Sequence, residues 1–83
     1  MTAEDIRRIY LEELVRVAPD LNIDTIDEND DLQDDLELDS MDVLNLVTAL
    51  HQRLGVNIPE KDYPSIATLA KATKYLLELG ATS

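Results

Sequence analysis

The chain has no cysteine, phenylalanine or tryptophan, and only two glycines and three prolines. Without cysteine it has neither a disulfide framework nor a thiolate metal site, and no thiol of its own. Aromatic residues amount to three tyrosines, so the core must be built from Leu, Ile, Val and Ala. That palette, with so little glycine and proline, favours helices over a sheet sandwich. Positive charge is scarce too: seven basic residues against eighteen acidic ones leave a formal net charge of −11. Such a surface repels phosphate backbones and anionic lipid, which argues against nucleic acid and membrane surfaces and for a partner with a basic face. No apolar run approaches the roughly 18 residues of a spanning helix. The first residues, Met1-Thr2-Ala3-Glu4-Asp5, lack the basic start of a signal peptide. The expectation is a soluble, cytoplasmic protein and, by default, a monomer.

What is present suits one small domain over residues 1–83. Hydrophobic residues make up 45%, enough for a core and too many for wholesale disorder. The charge is uneven. Residues 1–40 hold 14 acids and three bases and carry the whole net charge, while residues 41–83 balance. Ile6, Ile9, Tyr10, Leu14 and Val17 recur at helical spacing behind Thr2, a candidate N-cap, and Pro19 closes that helix. Residues 20–39 form a long connection with ten acids, yet Leu21, Ile23, Ile26, Leu32, Leu36 and Leu38 predict that it is pinned across the bundle. A second helix is predicted from Ser40 to Leu54 on the stripe Val43, Leu44, Leu46, Val47, Leu50 and Leu54, with Gly55 as C-cap. After an extended Val56–Pro59, a short turn runs from Pro59 through Tyr63 and Pro64 stops it. The last helix spans Thr68–Leu79, burying Leu69, Ala72, Leu76 and Leu77, with Gly80 as its stop. The fold class is all-α, a small four-helix bundle of three main helices and one short one, with a long first loop.

Several chemistries fail on geometry. The sole histidine, His51, and Ser40 share a face of the second helix but stand about 16 Å apart along its axis, so they form no dyad. His51 reads as a solvated residue near the helix C-terminus. Asp27, Asn29 and Asp31 match the opening of a calcium loop. Leu32 and Leu38, however, occupy the positions that require Gly and Glu, so no metal site is expected. Paired carboxylates without a dry pocket do not make an acid–base catalyst, and no enzyme activity is expected.

Asp39-Ser40-Met41-Asp42 at the head of the second helix remains. Either Asp39 or Ser40 can serve there as an N-cap. A phosphate ester on an exposed serine at this position would meet the positive end of the helix. The run Asp35-Leu36-Glu37-Leu38-Asp39-Ser40-Met41-Asp42-Val43-Leu44-Asn45-Leu46-Val47, then Gly55-Val56-Asn57-Ile58-Pro59 and a Thr68-Leu69 helix start, resembles an acyl carrier protein over essentially the whole chain. The resemblance implies that Ser40, flanked by Asp39 and Met41, carries 4′-phosphopantetheine transferred from coenzyme A by a separate, magnesium-dependent phosphopantetheinyl transferase. The arm would supply the thiol the chain lacks and hold acyl groups as thioesters for fatty-acid, polyketide or related biosynthesis. It implies also that Leu44, Leu50, Ile58, Ile66 and Ala72 line an acyl cleft, where the alternative is ordinary core packing. Acyl-loading and acyl-transfer enzymes with basic docking faces would be the partners.

The sequence departs from the family twice. Glu37 stands where many relatives have Gly, which tolerates positive φ more readily, so the loop is expected to approach the serine differently. The second helix is usually acidic on its exposed side, whereas here the positions after Asp42 read Asn45, Thr48, His51, Gln52 and Arg53. These differences suggest a specialised carrier that basic enzymes of ordinary fatty-acid elongation serve poorly. Two alternatives stand beside it: an amino-acyl or peptidyl carrier, such as a D-alanyl carrier, and an acidic adaptor that binds a basic partner non-covalently. The Gly-Gly that peptidyl carriers more often show before the serine is absent, which favours acyl cargo.

Overall fold

A computed structural model describes residues 2–79. Helix α1 spans Ala3–Val17, α2 spans Ser40–Leu54 and α3 spans Leu69–Glu78. Two 3₁₀ segments, Ile23–Thr25 and Glu60–Ile66, complete the regular structure, and there is no strand among the described residues.

Each helix begins on a side-chain cap. Thr2 Oγ1 accepts the Asp5 backbone N–H at 3.2 Å and Asp5 Oδ2 accepts the Thr2 N–H at 3.0 Å, satisfying two donors that the first turn of α1 leaves open. Thr68 caps α3 through Lys71 N–H, so Thr68 precedes that helix rather than opening it. The helix ends follow from Pro19 and Gly55. Ala18, the residue before Pro19, has left the helical region, as the proline ring requires. Gly55 closes α2 at φ +69, donating its N–H to the His51 carbonyl at 2.9 Å.

Helix α1 packs against both α2 and α3. Ile6, Tyr10, Leu14, Leu46, Leu50, Ile66 and Leu76 are fully enclosed between them. The Tyr10 hydroxyl crosses this core to donate to the Ile66 carbonyl at 2.8 Å, which pairs the buried polar end of the ring. Glu13 is buried as well, and its carboxylate is paired there with Arg53 of α2 at 2.8 Å and Arg16 at 3.2 Å.

The connection after α1 is pinned as its apolar residues predict. Leu32 and Leu38 are buried, and Leu21, Ile26 and Leu36 pack against the core. Backbone bonds from Leu32 N to the Ala67 carbonyl (2.9 Å) and from Ala70 N to the Glu28 carbonyl (3.0 Å) fasten it to the start of α3.

Four expectations are corrected. Ile23 is 42% exposed, because it sits on a 3₁₀ turn held outward by the Asn22 cap. Leu44 is 44% exposed and Leu77 39% exposed, since each lies one residue beyond a buried position and so about 100° off the buried stripe. Pro64 does not end the short turn: the 3₁₀ segment runs through it to Ile66. The proline φ suits this geometry, and although its ring removes a donor, its carbonyl accepts from Ala67 N at 3.4 Å. Gly80, the expected stop of the last helix, lies outside the described residues.

Candidate functional site

Asp39 and Ser40 are neighbours with different tasks. The Asp39 carboxylate accepts the Asp42 N–H at 2.9 Å, and the Asp42 carboxylate accepts the Asp39 N–H at 3.4 Å. This reciprocal cap belongs to Asp39 and Asp42 alone. Ser40 is the first residue inside α2 and is exposed. Its hydroxyl is therefore free of the capping role and faces solvent at the positive end of a 15-residue helix.

Beside Ser40 lies an open groove of about 500 Å³. Met41, Val43 and Leu44 contribute from α2, Tyr63 and Pro64 from the 3₁₀ segment, and Leu32 from the loop. Met41 is 63% exposed, so two large apolar side chains of α2 stand in water next to the serine. Three carboxylates, Asp31, Asp34 and Glu60, also line the groove, and no basic residue does.

Of the five side chains expected to line a cleft, only Leu44 borders this groove. Leu50, Ile58, Ile66 and Ala72 are buried in the core behind it. Sequence reasoning missed the contributions of Asp31, Gln33, Asp34, Glu60, Tyr63, Pro64 and Ala67. The Glu60–Ile66 segment is a 3₁₀ turn whose residues follow no helical period, so the sequence held no signal for them.

Glu37, three residues before Ser40, has φ +59. The loop thus takes the left-handed turn that glycine adopts without cost, and glutamate bears the strain. The Glu37 side chain is exposed while its backbone holds this positive φ.

The acidic loop spends many of its oxygens on its own backbone. Asp27 Oδ1 accepts from Asn29 N at 2.8 Å, Asp31 Oδ1 from Gln33 N and Asp34 N at 2.9 and 3.0 Å, and Asp35 Oδ2 from Asp31 N at 2.7 Å. Among the described residues there is no group of three or more His, Asp or Glu placed to hold a metal ion. His51 sits at the opposite end of α2 from Ser40, exposed, with Nδ1 2.8 Å from the Val56 carbonyl oxygen. In the neutral ring Nδ1 carries the proton and donates it there, a bond the sequence did not announce.

Comparison with known proteins gives this geometry a family. Residues 10–76 match the family described as "Phosphopantetheine attachment site". The chain is 39% identical over 77 residues to an acyl carrier protein of Zymomonas mobilis, covering 93% of this chain and 92% of that one. It is 33% identical to an acyl carrier protein of a Sulfurovum species (88% and 91% covered) and 30% identical to one of Wolinella succinogenes (88% and 90% covered). The chain belongs to the acyl carrier protein family of phosphopantetheine-bearing proteins. Members are carriers rather than enzymes, and their prosthetic group is a covalently attached 4′-phosphopantetheine. Membership implies dealings with a phosphopantetheinyl transferase and with enzymes that handle acyl groups. No helix among the described residues is long and apolar enough to cross a membrane.

Proposed function

We propose that residues 1–83 act as one monomeric carrier domain, that Ser40 is the attachment residue, and that acyl groups are carried to enzymes of fatty-acid, polyketide or related biosynthesis. The observation that supports this most is the division of labour at the head of α2. Asp39 supplies the cap, so Ser40 can be esterified without unmaking the helix start. The bound group supplies a terminal thiol on which acyl units are held as thioesters. The residues here do the rest: the helix end favours the phosphate charge, and Met41 and Leu44 offer apolar contact beside it.

Ser40 is not itself activated by this chain. The only histidine lies at the far end of the same helix and is engaged with Val56, so deprotonation falls to the transferase. A long acyl chain would leave water through the groove at Leu44. Leu50, Ile58, Ile66 and Ala72 are the apolar interior beyond it. The test is intact-mass measurement after incubation with coenzyme A, magnesium and a transferase. One phosphopantetheine is gained by the native chain and none by Ser40→Ala. Gain by Ser40→Ala would overturn the assignment.

A further inference from the structure

Two hollows meet at Pro64, and their charges are of opposite sign. The groove beside Ser40 is lined by Asp31, Asp34 and Glu60 and by no base. Across Pro64 a second hollow, of about 360 Å³, is lined by Ser65 and by Lys71, Lys74, Tyr75 and Glu78 of α3. Lys71 and Lys74, three residues apart, share a face of that helix, and both are exposed. All four arginines stand in ion pairs, whereas neither lysine does among the described residues, even with Glu78 lining the same hollow. Asp62 does not line it, and its carboxylate accepts the Tyr75 hydroxyl at 2.6 Å. The lining groups therefore sum to one positive charge, in a chain whose net charge is −11.

We propose that Lys71 and Lys74 hold the terminal carboxylate of a dicarboxylic acyl group carried on the Ser40 arm, which makes half-thioesters of dicarboxylic acids a cargo class of this chain. The inference rests on Ser40 as the attachment residue. The methylenes of the cargo lie along Leu44, Tyr63 and Pro64, and its charged end passes Pro64 to the lysines. A carboxylate ending inside the groove sits among three others and is repelled. One that reaches the second hollow meets two ammonium groups and the Ser65 hydroxyl. A methyl-ended acyl group gains nothing there. A lysine–carboxylate contact in water is weak by itself. Tethering to the same molecule makes it intramolecular, at an effective concentration on the order of millimolar, and two cations share the one anion.

The test compares two loaded forms of the chain. Adipyl- and hexanoyl-phosphopantetheine, with acyl chains of equal length ending in carboxylate and in methyl, are transferred from their coenzyme A thioesters, and intact mass confirms each loading. Nitrogen–proton NMR spectra of the backbone amides and lysine ammonium groups are then recorded. The adipyl form is expected to shift resonances of Ser65, Lys71 and Lys74 that the hexanoyl form leaves in place. Sodium chloride at about 1 M, where the Debye length is about 3 Å, should remove that difference. In the combined Lys71→Gln, Lys74→Gln variant the two forms should give the same amide spectrum at Ser65 and along α3, with circular dichroism checking that the exposed substitutions keep the helices. Identical spectra for the two forms of the native chain, or a difference that survives the double substitution, would overturn the proposal. A native chain that fails to load, read by mass, overturns the attachment residue and this proposal together, whereas loading followed by identical spectra overturns this proposal alone.

Discussion

The Asp39 carboxylate stands 2.9 Å from the Asp42 backbone nitrogen, and this bond separates the stability of α2 from the chemistry of Ser40. Asp39→Ala is expected to cost about 1 kcal/mol of stability, the usual loss for an N-cap. Ser40→Ala, an exposed change inside the first turn, should stay within about 0.5 kcal/mol while abolishing attachment. Urea unfolding followed by circular dichroism, alongside intact mass, reads both. Equal destabilisation by the two substitutions would mean that Ser40 shares the cap.

Glu37 holds φ +59, where a side chain costs about 1–2 kcal/mol and glycine costs little. Glu37→Gly is expected to raise stability by about 1 kcal/mol, the relief being offset in part by the greater chain entropy of glycine. Glu37→Val, β-branched, should lower it. Unfolding midpoints of the two variants in urea should therefore fall on opposite sides of the native value.

Both ends of α2 were legible in the sequence because local chemistry decides them. The Asp39–Asp42 box starts the helix and Gly55 stops it, and neither depends on distant residues. The same holds for Thr2 and Pro19 at the ends of α1. Leu44 shows where local reading stops. Its neighbours Val43, Leu46, Val47, Leu50 and Leu54 form the buried stripe, and Leu44 looks like part of it until the position of α1 is known. An apolar residue off the stripe was the available sign of an exposed patch. Leu77 escaped for the same reason. The groove was illegible because its far side is a 3₁₀ segment, which has no period to read, brought to Ser40 by long-range bonds such as Leu32 N to the Ala67 carbonyl.

Arg53 links α2 to α1 through the buried Glu13 and the exposed Glu12. Arg53→Ala is expected to cost about 2 kcal/mol, less than a fully buried pair because Arg16 still reaches Glu13 and the arginine is partly in water. Pairing it with Glu13→Leu should recover most of that loss, since the unpartnered carboxylate is gone. A double variant weaker than Arg53→Ala would show that the ion pair itself holds the helices together.

Two tyrosines set the alkaline limit. Burial, with the nearby Asp31 charge, raises the Tyr10 hydroxyl above its ordinary value. Burial and the 2.6 Å bond to Asp62 push Tyr75 up to about 12. Both protons are held more tightly in the folded chain, so their contribution is fully present below pH 10 and is lost as pH rises through the raised values. Helical signal is expected to fall in step with tyrosinate absorbance above pH 10, and Tyr75→Phe should lessen the dependence. On the acid side, hydrogen bonds from Thr2 lower the Asp5 value. That contribution is present above the ordinary value of 3.8 and fades as pH drops through the lower folded value.

The ten acids between residues 20 and 39 repel one another, and added salt screens that repulsion. Thermal melts are expected to shift upward by several degrees from low to high sodium chloride, with Asp34→Asn reducing the shift. A melting temperature independent of salt would mean that the turn hydrogen bonds of the loop already absorb the repulsion.

The central claim is that Ser40 bears the prosthetic group. Peptide mass spectrometry on the chain isolated from its own cells tests it most directly. The account predicts 4′-phosphopantetheine on the peptide containing Asp39-Ser40-Met41, with acyl groups released by hydroxylamine as thioesters are. The same group found on another hydroxyl, or a native chain that never carries it, would contradict the account.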